Sequence, residues 1–153
     1  MSVALRLKEL GIDLPSTSVP LASYIPAKQV GDTLYVSGQI PVVDGRIVWQ
    51  GKLGRDLTIE DGMAAARLAA VNALGAIIHA VGDLDRVKGI VKLNGYVNSA
   101  DDFNNQHLVV NGASEFLVSV FGDRGRHARA AVGTNSLPMD VPVEIELVVD
   151  VGR

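Results

Sequence analysis

The feature that most constrains this chain is an Ala-rich run with a start signal at Thr58-Ile59-Glu60-Asp61 and a stop signal at Gly82. The spacing of Thr58 and Asp61 resembles a capping box, in which the hydroxyl serves an unpaired amide of the first turn. Ala64, Ala65, Ala66, Ala69, Ala70, Ala73 and Ala76 favour helix and permit close packing, and Leu74, Ile77, Ile78 and Val81 continue a buried face. A long helix to about Val81 is therefore expected, closed by Gly82 in the left-handed conformation. Its apolar part, Met63 to Val81, is interrupted by Arg67, Asn72 and His79. Hydrocarbon would make those groups costly, so a core helix is expected and a membrane span is not.

Strand signals surround this helix. DTLYVSGQIPVVDGRIVWQG holds two β-rich runs joined by Asp44-Gly45, a hairpin turn signal. VKGIVKLNGYVN sets Val91, Leu93 and Val97 against Lys92, Asn94 and Tyr96, the alternation of a strand covered on one side. Ser99-Ala100-Asp101-Asp102 is a second capping signal, predicting a helix towards Phe121 that Gly122 closes. HARAAVGT and VPVEIELVVDV are two further strands around a loop containing Leu137-Pro138-Met139-Asp140. At the start, Val3, Leu5, Leu7 and Leu10 fall among Arg6, Lys8 and Glu9, which suits a short surface helix. DLPSTSVPLASYIPAKQ reads as extended, irregular chain.

The order strand, strand, helix, strand, helix, strand, strand predicts an α+β fold: a single mixed β-sheet with two helices packed on one face. Apolar strands with no helix left to cover their other face point to self-association. With 153 residues, no internal repeat and no linker, one domain spanning 1–153 is expected, with 1–22 as an N-terminal extension. The net charge of -3 gives no electrostatic reason to expect nucleic acid or an anionic membrane as main partner. The count of 0 cysteines excludes disulfides, thiolate nucleophiles and sulfur-ligated metals. The N-terminus has no apolar core of signal-peptide length, and a cytoplasmic location is the default expectation.

Chemistry concentrates in the last third. Arg129 stands in a strand among Ala128, Ala130 and Ala131, while Glu144 and Glu146 share one face of the final strand. If the two strands form a hairpin centred near Ser136 and Leu137, position 129 falls roughly opposite position 144. Two readings stay open: a surface ion pair, or a guanidinium fork awaiting a carboxylate with a water-orienting carboxylate beside it. Asn104, His107, Asn111 and Ser114 form a polar stripe on the second helix, either solvated or the wall of a cleft. His79, His107 and His127 lack metal-ligand spacing, so no metal site is expected. Neither GxGxxG nor GxxxxGK[ST] occurs. Arg124, Arg126, His127 and Arg129 form a small basic cluster, too short and too poor in aromatics for a usual RNA cleft.

The run ARAAVGTNSLPMDVPVEIE and the motif YVSGQIP, residues 35 to 41, resemble the signatures of the RidA/YjgF family, also labelled endoribonuclease L-PSP. The likeness runs from about Ser23 to Val151. It implies a chorismate-mutase-like α+β fold assembled as a homotrimer, with clefts between subunits and no cofactor. It also implies hydrolysis of 2-aminoacrylate and related enamines or imines to 2-keto acids and ammonia, the small imine, enamine or keto acid being the partner. The family's carboxylate-binding arginine falls on Arg129 and its water-positioning glutamate on Glu144. Its substrate-binding positions fall on Tyr24, Ser37, Gly38 and Asn111. A non-catalytic carboxylate binder or stress-related protein with the same trimer is the alternative, and endoribonuclease activity a lesser one. Ala131 stands where the well-studied branch often carries cysteine, and both the N-terminal extension and the second helix are longer here.

Overall fold

The computed structural model describes residues 1–16 and 22–152, so the part of the irregular segment at 17–21 lies outside the described residues. In chain order the elements are α1 (Val3–Glu9), β1 (Ala27–Val30), β2 (Thr33–Gln39), β3 (Val42–Val43) and β4 (Arg46–Ile47). They continue as α2 (Ile59–Val81), β5 (Gly89–Asn98), α3 (Gln106–Phe121), β6 (Ala128–Thr134) and β7 (Val143–Asp150). The cap on α2 is reciprocal: Asp61 N donates to Thr58 Oγ1 and Thr58 N to the Asp61 carboxylate, both at 3.1 Å. Gly82 ends the helix at φ 84°. By length and composition α2 could cross a membrane, but 67% of its most apolar window is buried within the fold.

The main sheet has the order β1-β2-β7-β5-β6, and within it β5 and β6 alone run parallel, joined by α3 as the crossover. It is thus a mixed sheet in an α+β fold. Burial alternates along β7: Val143, Ile145, Leu147 and Val149 are buried. With Leu34 and Val36 of β2, and Leu93 and Val97 of β5, they meet α2 and α3 on one face. Val3 and Leu7 of α1 join the same core. The two long helices approach at Gly112, where an added Cβ would run into the backbone of Met63.

Several expectations are corrected. The Asp44-Gly45 turn forms, with φ 51° and 75°, but it joins only the short ribbon β3–β4. The chain has already left β2, and Asn72 of α2 holds it there, its Nδ2 donating to Ile40 O at 2.9 Å and Val42 O at 3.0 Å. β1 is a strand where irregular chain was expected. It is an edge strand exposed at three of its four residues, so no apolar alternation marks it. Val91 is 49% exposed because the register against β7 shifts between Ile90 and Lys92, and Ile90 takes the inward place. The second helix begins at Gln106 and not after Ser99. The Ser99 hydroxyl donates to Val97 O at 2.8 Å and its N–H to Thr134 O, so this residue finishes β5 and caps nothing.

The expected β6–β7 hairpin does not form, since β5 lies between the two strands. The connecting loop turns through left-handed backbone at Met139 and Asp140. Buried Asn98 secures it, donating from Nδ2 to Asp140 Oδ1 at 3.0 Å while its Oδ1 accepts from Lys52 Nζ at 2.8 Å. Arg129 is therefore paired with Leu93, and Glu144 with Tyr96. The anticipated Arg129–Glu144 cross-strand contact is absent.

Candidate active site

Residues directly opposite in a ladder point to the same side of a sheet. Arg129 follows inward-facing Leu93 towards α3. Glu144, opposite Tyr96, belongs to the alternate set of β7 and points to the other face. The chain thus carries two polar groups on opposite faces of its sheet.

The first group is a seated guanidinium. From edge strand β6, Arg129 Nη1 donates to Asn111 Oδ1 at 2.8 Å and to Ser114 Oγ at 3.2 Å, and Nη2 to His107 O at 3.2 Å. Positions 107, 111 and 114 lie on one stripe of α3, so the polar face seen in the sequence is the seat of this arginine. Ser114 Oγ lies 2.9 Å from His127 Nε2, and His127 Nδ1 lies 2.6 Å from Gly125 O. A carbonyl only accepts, so Nδ1 carries the hydrogen; in the neutral ring Nε2 then accepts from the Ser114 hydroxyl. Ala131 shares the inward side of β6 with Arg129 and is half-buried.

The second group is a carboxylate cluster on the face turned away from α2 and α3. Glu146 Oε1 accepts from Tyr96 Oη at 2.7 Å and from Asn94 Nδ2 at 2.9 Å. Glu144 stands beside them with its acidity lowered: burial, and then the Glu146 charge, push its pKa above the ordinary carboxylate value. The Tyr96 phenol is pushed up too, first by its hydrogen bond to Glu146, then by burial and the two carboxylate charges. Gly38 adjoins Glu144 so closely that an added Cβ would overlap the carboxylate. The β2–β7 register slips between Val36 and Gln39, a bulge that takes Ser37 and Gly38 out of the regular ladder. Ser37 is tied to the chain beside Tyr24: its hydroxyl donates to Ile25 O at 2.6 Å and its N–H to Pro26 O at 2.9 Å. Tyr24 itself is 44% exposed.

Of the six residues singled out from sequence, the structure brings Arg129 together with Asn111, and Glu144 with Gly38 and Ser37; the Tyr24 backbone adjoins the second group. It does not join the groups within one chain. Sequence reasoning missed the carboxylate partners Asn94 and Tyr96, although their alternation on the polar side of β5 carried the signal. It also missed the Ser114–His127 pair, whose members lie on different elements. The basic cluster disperses: Arg124 Nη1 donates to Val87 O and Arg126 pairs with Asp123, which leaves no continuous basic track among the described residues. A groove of about 530 Å³ between α1 and the end of α2, lined by Leu7, Ile12 and Ile78, lies away from both groups.

Residues 4–150 match the family model described as "YjgF/chorismate mutase-like, putative endoribonuclease". Protein TCP17 of Trypanosoma cruzi is 45% identical over 152 residues, covering 99% of this chain and 95% of that protein. A 2-iminobutanoate/2-iminopropanoate deaminase of Dermatophagoides farinae is 31% identical over 138 residues, covering 90% and 93%. Among solved structures, protein Atu1372 of Agrobacterium tumefaciens, of unknown function, superposes with a TM-score of 0.92 at 46% identity, covering 98% of this chain and 92% of that one.

Proposed function

Since the chain belongs to the RidA/YjgF family, we propose that it hydrolyses small imines and enamines that carry a carboxylate, such as 2-aminoacrylate, to 2-keto acids and ammonia, in the cytoplasm and as a homotrimer without a cofactor. The similarity to an imine deaminase supports the reaction class. The single observation that carries the proposal is the half-engaged guanidinium. The bonds to α3 occupy Nη1 and one N–H of Nη2. Nε–H and the second Nη2 N–H remain, a parallel pair suited to a carboxylate.

Because Arg129 and Glu144 face opposite sides of the sheet, one ligand meets both only in a cleft between two copies. In the proposed trimer, Arg129 and Asn111 of one subunit form one wall. Glu144, Ser37, Gly38 and Tyr24 of the next form the other. The uncovered sheet face, with Tyr35 and Val132 about half exposed, is then the surface that assembles.

The chemistry asks little of the protein. Protonation of the enamine at its terminal carbon gives the iminium ion, the same species that forms when the imine nitrogen takes a proton, and its C2 is electrophilic. Water adds at C2 as Glu144 accepts its proton, giving a carbinolamine. Glu144 returns that proton to nitrogen; the carbinolamine hydroxyl then gives its own proton to Glu144 as the C=O forms, the C–N bond breaks with its electron pair going to nitrogen, ammonia leaves and the keto acid remains. The raised pKa of Glu144, set by burial and then by the Glu146 charge, suits a group that takes a proton and returns it. The test uses imines generated in situ by an amino-acid oxidase. Arg129→Lys keeps the charge but loses the fork, and is expected to cut hydrolysis roughly 100-fold by misplacing the substrate. Glu144→Gln should bind a 2-keto acid normally yet fail to turn over. Unchanged turnover by Arg129→Lys refutes the proposal, and a wild-type protein that binds without turnover establishes the carboxylate-binding alternative.

A further inference from the structure

We propose that Ser114 and His127 are positioning residues for Arg129, holding its guanidinium in the plane that receives the substrate carboxylate; this rests on the reading of Arg129 given above. β6 is an edge strand, paired among the described residues only with β5, so no further strand of its own sheet confines the arginine. The confinement comes from α3, through the His107 carbonyl, Asn111 and Ser114.

Ser114 differs from the other two. A carbonyl can only accept, whereas a hydroxyl rotates and can turn its hydrogen towards the cation. Facing Arg129 with a lone pair requires that the hydrogen be occupied elsewhere, and His127 Nε2 at 2.9 Å occupies it. The ring is itself fixed by its Nδ1–H on Gly125 O at 2.6 Å. Gly125 is rigid in turn, being buried in a turn where an added Cβ would overlap Leu117 O. The hydrogen bonds therefore run in one direction: Arg129 to Ser114, Ser114 to His127, His127 to the Gly125 carbonyl. Each donor is spent and each acceptor presented, so Nη1 is fixed from one side and the free Nε–H and Nη2 N–H edge is presented to the cleft. Neither Ser114 nor His127 touches the substrate, so both act through Arg129.

The experiment measures calorimetric affinity for 2-oxobutanoate, together with kcat and KM on an imine generated in situ, for the full-length protein. Ser114→Ala and His127→Phe are expected to weaken keto-acid binding and raise KM about tenfold, with kcat within about twofold, the pattern of lost binding without lost chemistry. Ser114→Thr and His127→Gln keep a hydroxyl and an acceptor at the same places and should restore affinity. Ser114→Ala added to Arg129→Lys should cost nothing further, because the serine acts only through the fork. Wild-type affinity in both Ser114→Ala and His127→Phe, with Arg129→Lys impaired, overturns this inference and leaves the role of Arg129 standing. Wild-type affinity in Arg129→Lys overturns both. Should His127→Phe fail to fold, Ser114→Ala decides the matter, since it deletes one half-buried hydroxyl.

Discussion

Glu144 carries a carboxylate into a half-buried place beside a second one, and that has consequences for both stability and rate. In the unfolded chain its pKa is ordinary; in the folded chain burial, then the Glu146 charge, raise it. The native state therefore holds the proton more tightly, and stability falls as pH rises from the ordinary value through the raised one. Glu144→Gln should equal the wild type at pH below that window and exceed it in urea midpoint above, which denaturation at pH 4 and pH 8 compares. If ionised Glu144 is the base, kcat/KM has a rising limb set by the same group. Glu146→Gln removes the second cause of the shift and should move the limb to lower pH, though only part of the way, because burial is the larger cause. An unmoved limb would assign it to another group. Gly38 bears on the same carboxylate. Gly38→Ala puts a methyl where the Glu144 oxygen lies. If Glu144 is the base, it should cost turnover at least about tenfold while the far-UV circular dichroism stays unchanged, the sign of a displaced carboxylate on an intact fold.

The elements divide by how local their causes are. α2 was legible because Thr58, Asp61 and Gly82 mark its ends within a few residues. Thr58→Ala should cost about 1 kcal/mol in chemical denaturation, a lost cap. The close contact of α2 with α3 at Gly112 was not legible, since no local pattern says that Gly112 meets Met63. The Gly112→Ala methyl meets backbone that cannot rotate away, and should cost about 1–3 kcal/mol or more. The same reasoning explains what was misread. Ser99 has the composition of a cap, but its hydroxyl closes on Val97 O, and the helix waits until Gln106. β6 and β7 are neighbours in sequence, yet the partner of β6 is β5, reached through a whole helix, and a parallel crossover leaves no turn signature. For the site, Arg129, Asn111 and Glu144 could be named from their resemblance to known signatures. Their arrangement on two faces depended on that strand order and was invisible without it.

At the scale of the molecule, the proposed cleft between copies makes a claim that single-chain variants alone cannot test. If each cleft takes Arg129 from one copy and Glu144 from another, two inactive proteins can repair one another. In a mixture refolded from equal amounts of Arg129→Lys and Glu144→Gln chains, a cleft is intact when its arginine wall comes from a Glu144→Gln chain and its glutamate wall from an Arg129→Lys chain. Each choice has a probability of one half, so about a quarter of the clefts in a symmetric assembly should regain function. If both groups came from the same chain, every cleft would carry one defect and the mixture would stay as inactive as its components. Light scattering supplies the control, with a mass three times the 16.2 kDa chain. Val132→Arg, which places a charge on the open sheet face, should lower that mass and the activity together while leaving the Arg129 seat on α3 untouched. A trimer of full mass that shows no complementation would mean that Arg129 and Glu144 do not serve one substrate across an interface.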